Sequence, residues 1–219
     1  MPKSSIRFVL FAATLALCLP AAAQKHDDTQ LWPEVQVTWA LPHHWSLMGA
    51  AGYRADDNLS HLFQRYINAG GGYAPSRYLN LAGFYRLDSQ RPAQGHHTLE
   101  KRWTLDAIPH LPIGRKWGLS DRNRIEWRWL NGALSERFRN MPRVEREFSL
   151  DGHKLTPYLA GEFFYDTRFH LWNRSRFYAG NQFGVNRHFT LDTYYMRQFD
   201  ARSLPRHINV VYTGVKLRF

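Results

Sequence analysis

From Leu31 to Phe219 the chain repeats one pattern: apolar and polar residues alternate along a segment, and a turn then ends it. The clearest case is Arg122 to Trp129, where Arg122, Arg124, Glu126 and Arg128 form one row and Ile125, Trp127 and Trp129 the other. Successive side chains of a strand point to opposite faces, so this stretch predicts a charged face backed by an aromatic one. A soluble sheet would bury the apolar row. A membrane barrel inverts the arrangement, with apolar residues against lipid and charges toward the lumen.

The same alternation sets Leu31, Val35, Val37, Trp39 and Leu41 against Trp32, Glu34, Gln36 and Thr38. It returns in Trp45–Arg54, His61–Tyr73, Arg77–Leu87, His97–Ala107, Lys116–Leu130, Lys154–Asp166, Asn173–Val185, His188–Gln198 and Arg206–Phe219. Leu134–Leu150 is longer and less regular, because Glu136 and Arg146 break the parity of Arg137, Arg139, Arg143, Glu145 and Glu147. Pro42-His43-His44, Ala74-Pro75-Ser76, Pro112-Ile113-Gly114 and Asp151-Gly152 are turn signals. The connections alternate short and long, and most segments run 11 to 14 residues, enough for a tilted strand to cross a hydrocarbon layer. These features predict an all-β, antiparallel up-and-down transmembrane β-barrel. Eleven segments can be traced, but single-chain bacterial barrels have an even number of strands, so 10 or 12 are expected. Leu134–Leu150 is the candidate for being two strands.

Composition then bounds the setting. Lys3 and Arg7, the apolar run Phe8 to Leu19 and Ala21-Ala22-Ala23 before Gln24 form the three-part pattern of a secretory signal peptide. Residues 1–23 are therefore expected to be removed, leaving 24–219 as one barrel domain. Cys18 follows Leu17 rather than a small residue, and reads as an apolar member of the signal. It is the sole cysteine, so the mature chain has no disulfide, thiol chemistry or cysteine-ligated metal. The formal charge of +11 falls to +9 with the signal removed. In an exported chain this charge suits anionic lipid or internal ion pairs better than nucleic acid. The last strand alternates Val211, Thr213, Val215, Leu217 and Phe219 against polar neighbours, and resembles the C-terminal insertion signal read by the barrel-assembly machinery of bacterial outer membranes.

The charged rows are the candidate site. In the barrel reading the lumen receives Arg86, Glu100, Arg102, Asp106, Arg122, Arg124, Glu126, Arg128, Arg137, Arg139, Arg143, Glu145, Glu147, Glu162, Arg174 and Arg176. Both signs fall on neighbouring strands, so cross-strand Arg–carboxylate pairs are expected, in a lumen narrow enough for side chains to fill. Arginines outnumber carboxylates in this set, which also admits an anion-attracting pore or pocket. His43-His44 and His96-His97 sit at turns with their rings directed apart, so no metal site and no cofactor is expected. Ser60-His61 would suit lipid hydrolysis only if folding supplied the hydrogen-bonded geometry, and no catalytic residue is assigned. Trp45, Tyr73, Tyr78, Trp117 and Trp172 lie near strand ends, as interfacial girdle residues do.

Leu31-Trp32, Arg122-x-Arg124-x-Glu126-x-Arg128, Arg137-x-Arg139, Glu162-x-Phe164 and Arg174-x-Arg176 with Gly180 together resemble the bacterial family called domain of unknown function 2490. The resemblance covers nearly all of the mature chain. It implies an outer-membrane-type barrel without an assigned activity, and carries over no catalytic residue. The expected function is structural, or the anion-leaning passage of small solutes, by a monomer in the outer membrane of a Gram-negative cell. The alternatives are a barrel enzyme modifying outer-leaflet lipids and a soluble periplasmic barrel binding an apolar ligand.

Overall fold

The computed structural model describes residues 27–92, 96–202 and 205–219; the expected signal peptide lies outside the described residues. Twelve strand segments are arranged as β1 (Asp27–Ala40), β2 (Trp45–Asp56), β3 (His61–Ser76), β4 (Leu79–Gln90), β5 (Thr98–Ile113) and β6 (Trp117–Leu130), followed by β7 (Ala133–Arg146) and β8 (Phe148–Leu150). β9 (His153–Asp166), β10 (Leu171–Gly184), β11 (Phe189–Asp200) and β12 (His207–Arg218) complete the wall. Strands adjacent in sequence pair by hydrogen bonds, except that β7 and β8 both pair with β9, and β1 closes on β12, so the single sheet forms a barrel.

The strand count corrects the expectation. β8 is the three-residue continuation of β7 and pairs with the same partner, β9, so Leu134–Leu150 is one stave and not two. Pro142 and Pro157 lack the N–H that a ladder needs, and the pairing is interrupted near both. The described barrel thus has eleven staves. An odd number of up-and-down staves leaves the first and last running the same way. The seam is accordingly parallel, with Asp27 opposite His207 and Thr38 opposite Arg218, while the other pairings are antiparallel.

Loop sorting is weaker than the sequence suggested. One end of the barrel carries the connections 41–44, 77–78, 114–116, 151–152 and 185–188; the other carries 57–60, 91–97, 131–132, 167–170 and 201–206. Asn131-Gly132 is as tight as Asp151-Gly152, and both pairs have the positive φ values that a type I′ turn requires. Phe219 lies at the first of these ends, where its backbone bonds Thr38 and Ala40 and its ring stacks on Trp39. We call this end the turn end and the opposite one the loop end.

Burial is inverted relative to a soluble sheet. Among the described residues nineteen buried side chains are polar or charged and ten are hydrophobic, so the interior is mainly polar. The large apolar residues lie on the outer wall instead, with Trp103 53%, Leu159 60% and Trp172 61% exposed.

The main apolar cluster of the interior lies on one side, where Trp32, Tyr158, Tyr178, Met196, Val210 and Tyr212 pack together. Rings fit there because glycine stands beside them. A Cβ on Gly180 would fall 2.6 Å from both the Tyr158 ring and Tyr194 Cβ. Gly180→Ala is therefore expected to lower stability by about 1–3 kcal/mol through overpacking. On the outer wall, Gly161→Ala meets nothing closer than 3.6 Å and should be near neutral. Denaturant midpoints of the two refolded variants in detergent micelles check this contrast.

Candidate functional site

Alternation brings the carboxylates and arginines of β4 to β7, β9 and β10 into the barrel, where most are largely shielded from water and satisfy one another. The organising groups are Glu126 and Glu162, both 0% exposed. Glu126 Oε1 accepts from Arg139 at 2.6 Å and Arg102 at 3.2 Å, with Arg137 at 3.8 Å from Oε2 and Arg124 at 4.0 Å. Glu162 accepts from Arg139 at 2.5 Å, Arg122 at 2.7 Å and the Tyr178 hydroxyl at 2.6 Å; Arg176 lies 3.7 Å away. Two acids thus gather six of the arginines expected at the site within 4.0 Å, three of them by hydrogen bonds.

Around these two acids the pairing is more local. Arg128 grips Glu100 with two bonds of 2.7 and 2.8 Å, and Arg102 adds one of 2.6 Å. Arg102 and Arg128 face each other directly in the β5–β6 register, so this shared carboxylate offsets a like-charge contact. Arg124 binds Asp106, its direct register partner, through two bonds of 2.6 Å. Asp166 receives Arg137 at 2.9 Å and Arg168 at 2.7 Å. In the 167–170 turn, the hydrogen bonds that Arg168 donates to Asp166 hold it more firmly protonated than a free guanidinium. Arg86 pairs with Asp88 at 2.9 Å, and Arg174 Nε donates to Asp200 at 2.6 Å.

The remaining expected members sit elsewhere. Arg143 and Glu145 pair with each other at 2.6 Å toward the turn end, away from the central knot. Glu147, in the break between β7 and β8, pairs with exposed Lys154 and is not interior, which corrects its parity assignment. Glu136 and Arg146 have the opposite parity and face outward.

Several interior residues were not among the lumen charges read from the sequence. Arg54 stacks 3.7 Å over the Trp32 ring, bonds Gln64 at 3.0 Å and has no ion pair with a carboxylate among the described residues. Phe164, 1% exposed, has the guanidinium groups of Arg139 and Arg176 4.7 Å from its centroid, with Arg137 and Arg174 at 5.8 Å. Glu34 accepts from Tyr66 at 2.5 Å and Tyr212 at 3.1 Å, and Asp192 from Tyr158 at 3.0 Å and Lys216 at 2.6 Å. Arg54, Asp88, Asp166 and Asp200 share the parity of their inward neighbours. Asp88 and Asp200 fell just beyond the segments traced from sequence, whereas Arg54 and Asp166 were the last residues of theirs and their parity alone would have found them.

The other candidates do not assemble. The Ser60 hydroxyl donates to Asp57, while His61 Nδ1 lies 2.8 Å from Asp56, so serine and histidine make no couple. His43 and His44 occupy left-handed positions in the turn before β2. Among the described residues no group of three or more His, Cys, Asp or Glu side chains is placed to hold a metal ion. Trp45 stacks on Tyr73 at 4.6 Å near the turn end, and Tyr165 meets Trp172 edge-on at 5.8 Å near the loop end.

Comparison with known proteins supports this architecture. A family model described as "Protein of unknown function (DUF2490)" matches residues 29–209. The solved β-domain of the Bordetella autotransporter BrkA is similar in fold, with a TM-score of 0.53 at 14% identity over 74% of this chain and 79% of that one. No curated protein matches the chain in sequence.

Removing one acid tests the network. Glu126→Gln leaves Arg102, Arg137 and Arg139 without their shared charge and should cost about 3–5 kcal/mol. Adding Arg139→Met to it should cost less than the two single changes summed. Glu147→Gln, at an exposed pair, should stay within about 0.5 kcal/mol. Unfolding midpoints of the refolded barrels measure all four proteins.

Proposed function

The chain belongs to the DUF2490 family, and from that premise we propose that it is an outer-membrane β-barrel whose interior is closed by its own ion pairs. The observation that carries the membrane location is the inverted burial: a polar interior behind a wall of exposed Trp, Leu and Phe. The likeness to an autotransporter β-domain supports the same fold class. In this reading the turn end faces the periplasm, Phe219 is presented there to the barrel-assembly machinery, and the barrel works as a monomer.

Closure is supported by contacts that cross the interior. Arg122 on β6 reaches Glu162 on β9, and Arg176 on β10 lies 5.2 Å over Trp32 on β1. The role that fits a filled barrel is structural: a stable outer-membrane wall that presents its loops. No catalysis is assigned, since Ser60 and His61 are turned to different partners. A second reading, anion-leaning passage, is favoured by Arg54, whose charge is countered by an aromatic face rather than a carboxylate.

Planar-bilayer recording of the refolded protein separates the two. The filled barrel should give no steady conductance, and boiling should shift its migration on a gel as expected of a barrel in detergent. A stable ohmic conductance with a reversal potential on the anion side would replace the closed reading with the passage reading.

A further inference from the structure

The outer wall is not smooth. A row of direct register partners climbs across it from Trp45 at the turn end to His207 at the loop end. In its upper half the row runs Asn140, Phe163, Ser175, Phe199, His207. Ser175 is small and stands between two phenylalanines, so the wall sinks there into a groove of about 620 Å³, flanked by Trp172. Neighbouring strands lie about 4.8 Å apart, so four steps of the row make a path of about 19 Å. In barrels whose strands tilt by about 40° such a row is oblique, and this one rises from mid-wall to the loop rim.

The rim end of the groove is basic. Arg206 is exposed and makes no ion pair among the described residues. The His207 ring packs edge-on against Phe199 at 5.2 Å, and its Nδ1 is buried with no hydrogen-bond partner among the described residues. Arg174 and Asp200 also border the groove but are paired with each other, so they add little net charge.

We propose that this groove holds one anionic, phosphate-bearing lipid. Its acyl chain lies along Phe163, Ser175 and Phe199, and its phosphate meets Arg206 and His207. The proposal rests on the outer-membrane reading. An aromatic channel ending in an unpaired cation and an orphan ring nitrogen matches the polarity of such a lipid, apolar below and anionic at headgroup depth. A second copy fits less well, because a two-fold contact over this groove would bring both Arg206–His207 rims into one interface.

Native mass spectrometry of the refolded barrel, exchanged into micelles containing either phosphatidylglycerol or phosphatidylcholine, reads the site directly. One phosphatidylglycerol should remain bound at activation that strips phosphatidylcholine. Arg206→Ala with His207→Ala should lower that retention at least about fivefold. Ser175→Trp, which fills the groove, should abolish it, and Lys101→Ala, on another part of the outer wall, should leave it unchanged. Equal retention of the two lipids, retention surviving both groove variants, or a dimer in place of the lipid adduct would overturn the proposal. Gel migration before and after boiling is recorded on each sample. A barrel that stays soluble without detergent would overturn the membrane reading itself, whereas a heat-modifiable barrel with no selective lipid overturns only the groove.

Discussion

A closed sheet that turns its apolar residues outward lines its inside with polar groups, and in this narrow barrel many of them are buried. That constraint governs the rest of this structure. Charges in such a place are tolerated only when paired and hydrogen-bonded. The chain meets the requirement with a few carboxylates, each serving several arginines. Glu126 and Glu162 share Arg139 between them, and Arg102 bridges Glu100 to Glu126. Arginine suits this arrangement because its planar fork offers five donors to fixed acceptors and stays charged when buried.

The interior is divided. From β4 to β10 it holds a network of guanidinium and carboxylate groups, and between β9 and β1 a cluster of rings packs beside it. Tyr194 and Tyr212 stack in parallel at 4.3 Å, and Tyr178 stands edge-on to Tyr194 at 5.2 Å. The two sides are joined where Tyr178 donates to Glu162 and where Arg176 lies over both Trp32 and Phe164. These joints link the two linings across the interior, as the proposed closed barrel requires.

Much of this was legible in the sequence. Strict alternation in Arg122 to Trp129 and Glu100 to Asp106 placed the charges on one face, and their opposite signs implied the pairs that form. The barrel class followed from repeating that pattern along the chain. What escaped had physical reasons. Asp88 and Asp200 were assigned to loops because apolar alternation ends before the strand does. Glu147 kept the right parity but lies in the break beyond β7, opposite a ladder that Pro157 interrupts. The parallel seam between β1 and β12 depends on a pairing between the two ends of the barrel that no local residue announces. The loop-end turn at Asn131-Gly132 is tight because its residues favour positive φ, so loop length followed turn chemistry more than side of the barrel.

The central claim is the inversion, with arginines inside and most tryptophans on the outer wall, where the proposed membrane would meet them. Single-tryptophan versions of the barrel, reconstituted in bilayers with brominated acyl chains, report it through fluorescence quenching. Trp103 and Trp172, on the outer wall, should be strongly quenched, and Trp32, 7% exposed beneath Arg54, should not. Strong quenching of Trp32, or none at Trp103 and Trp172, would contradict the account.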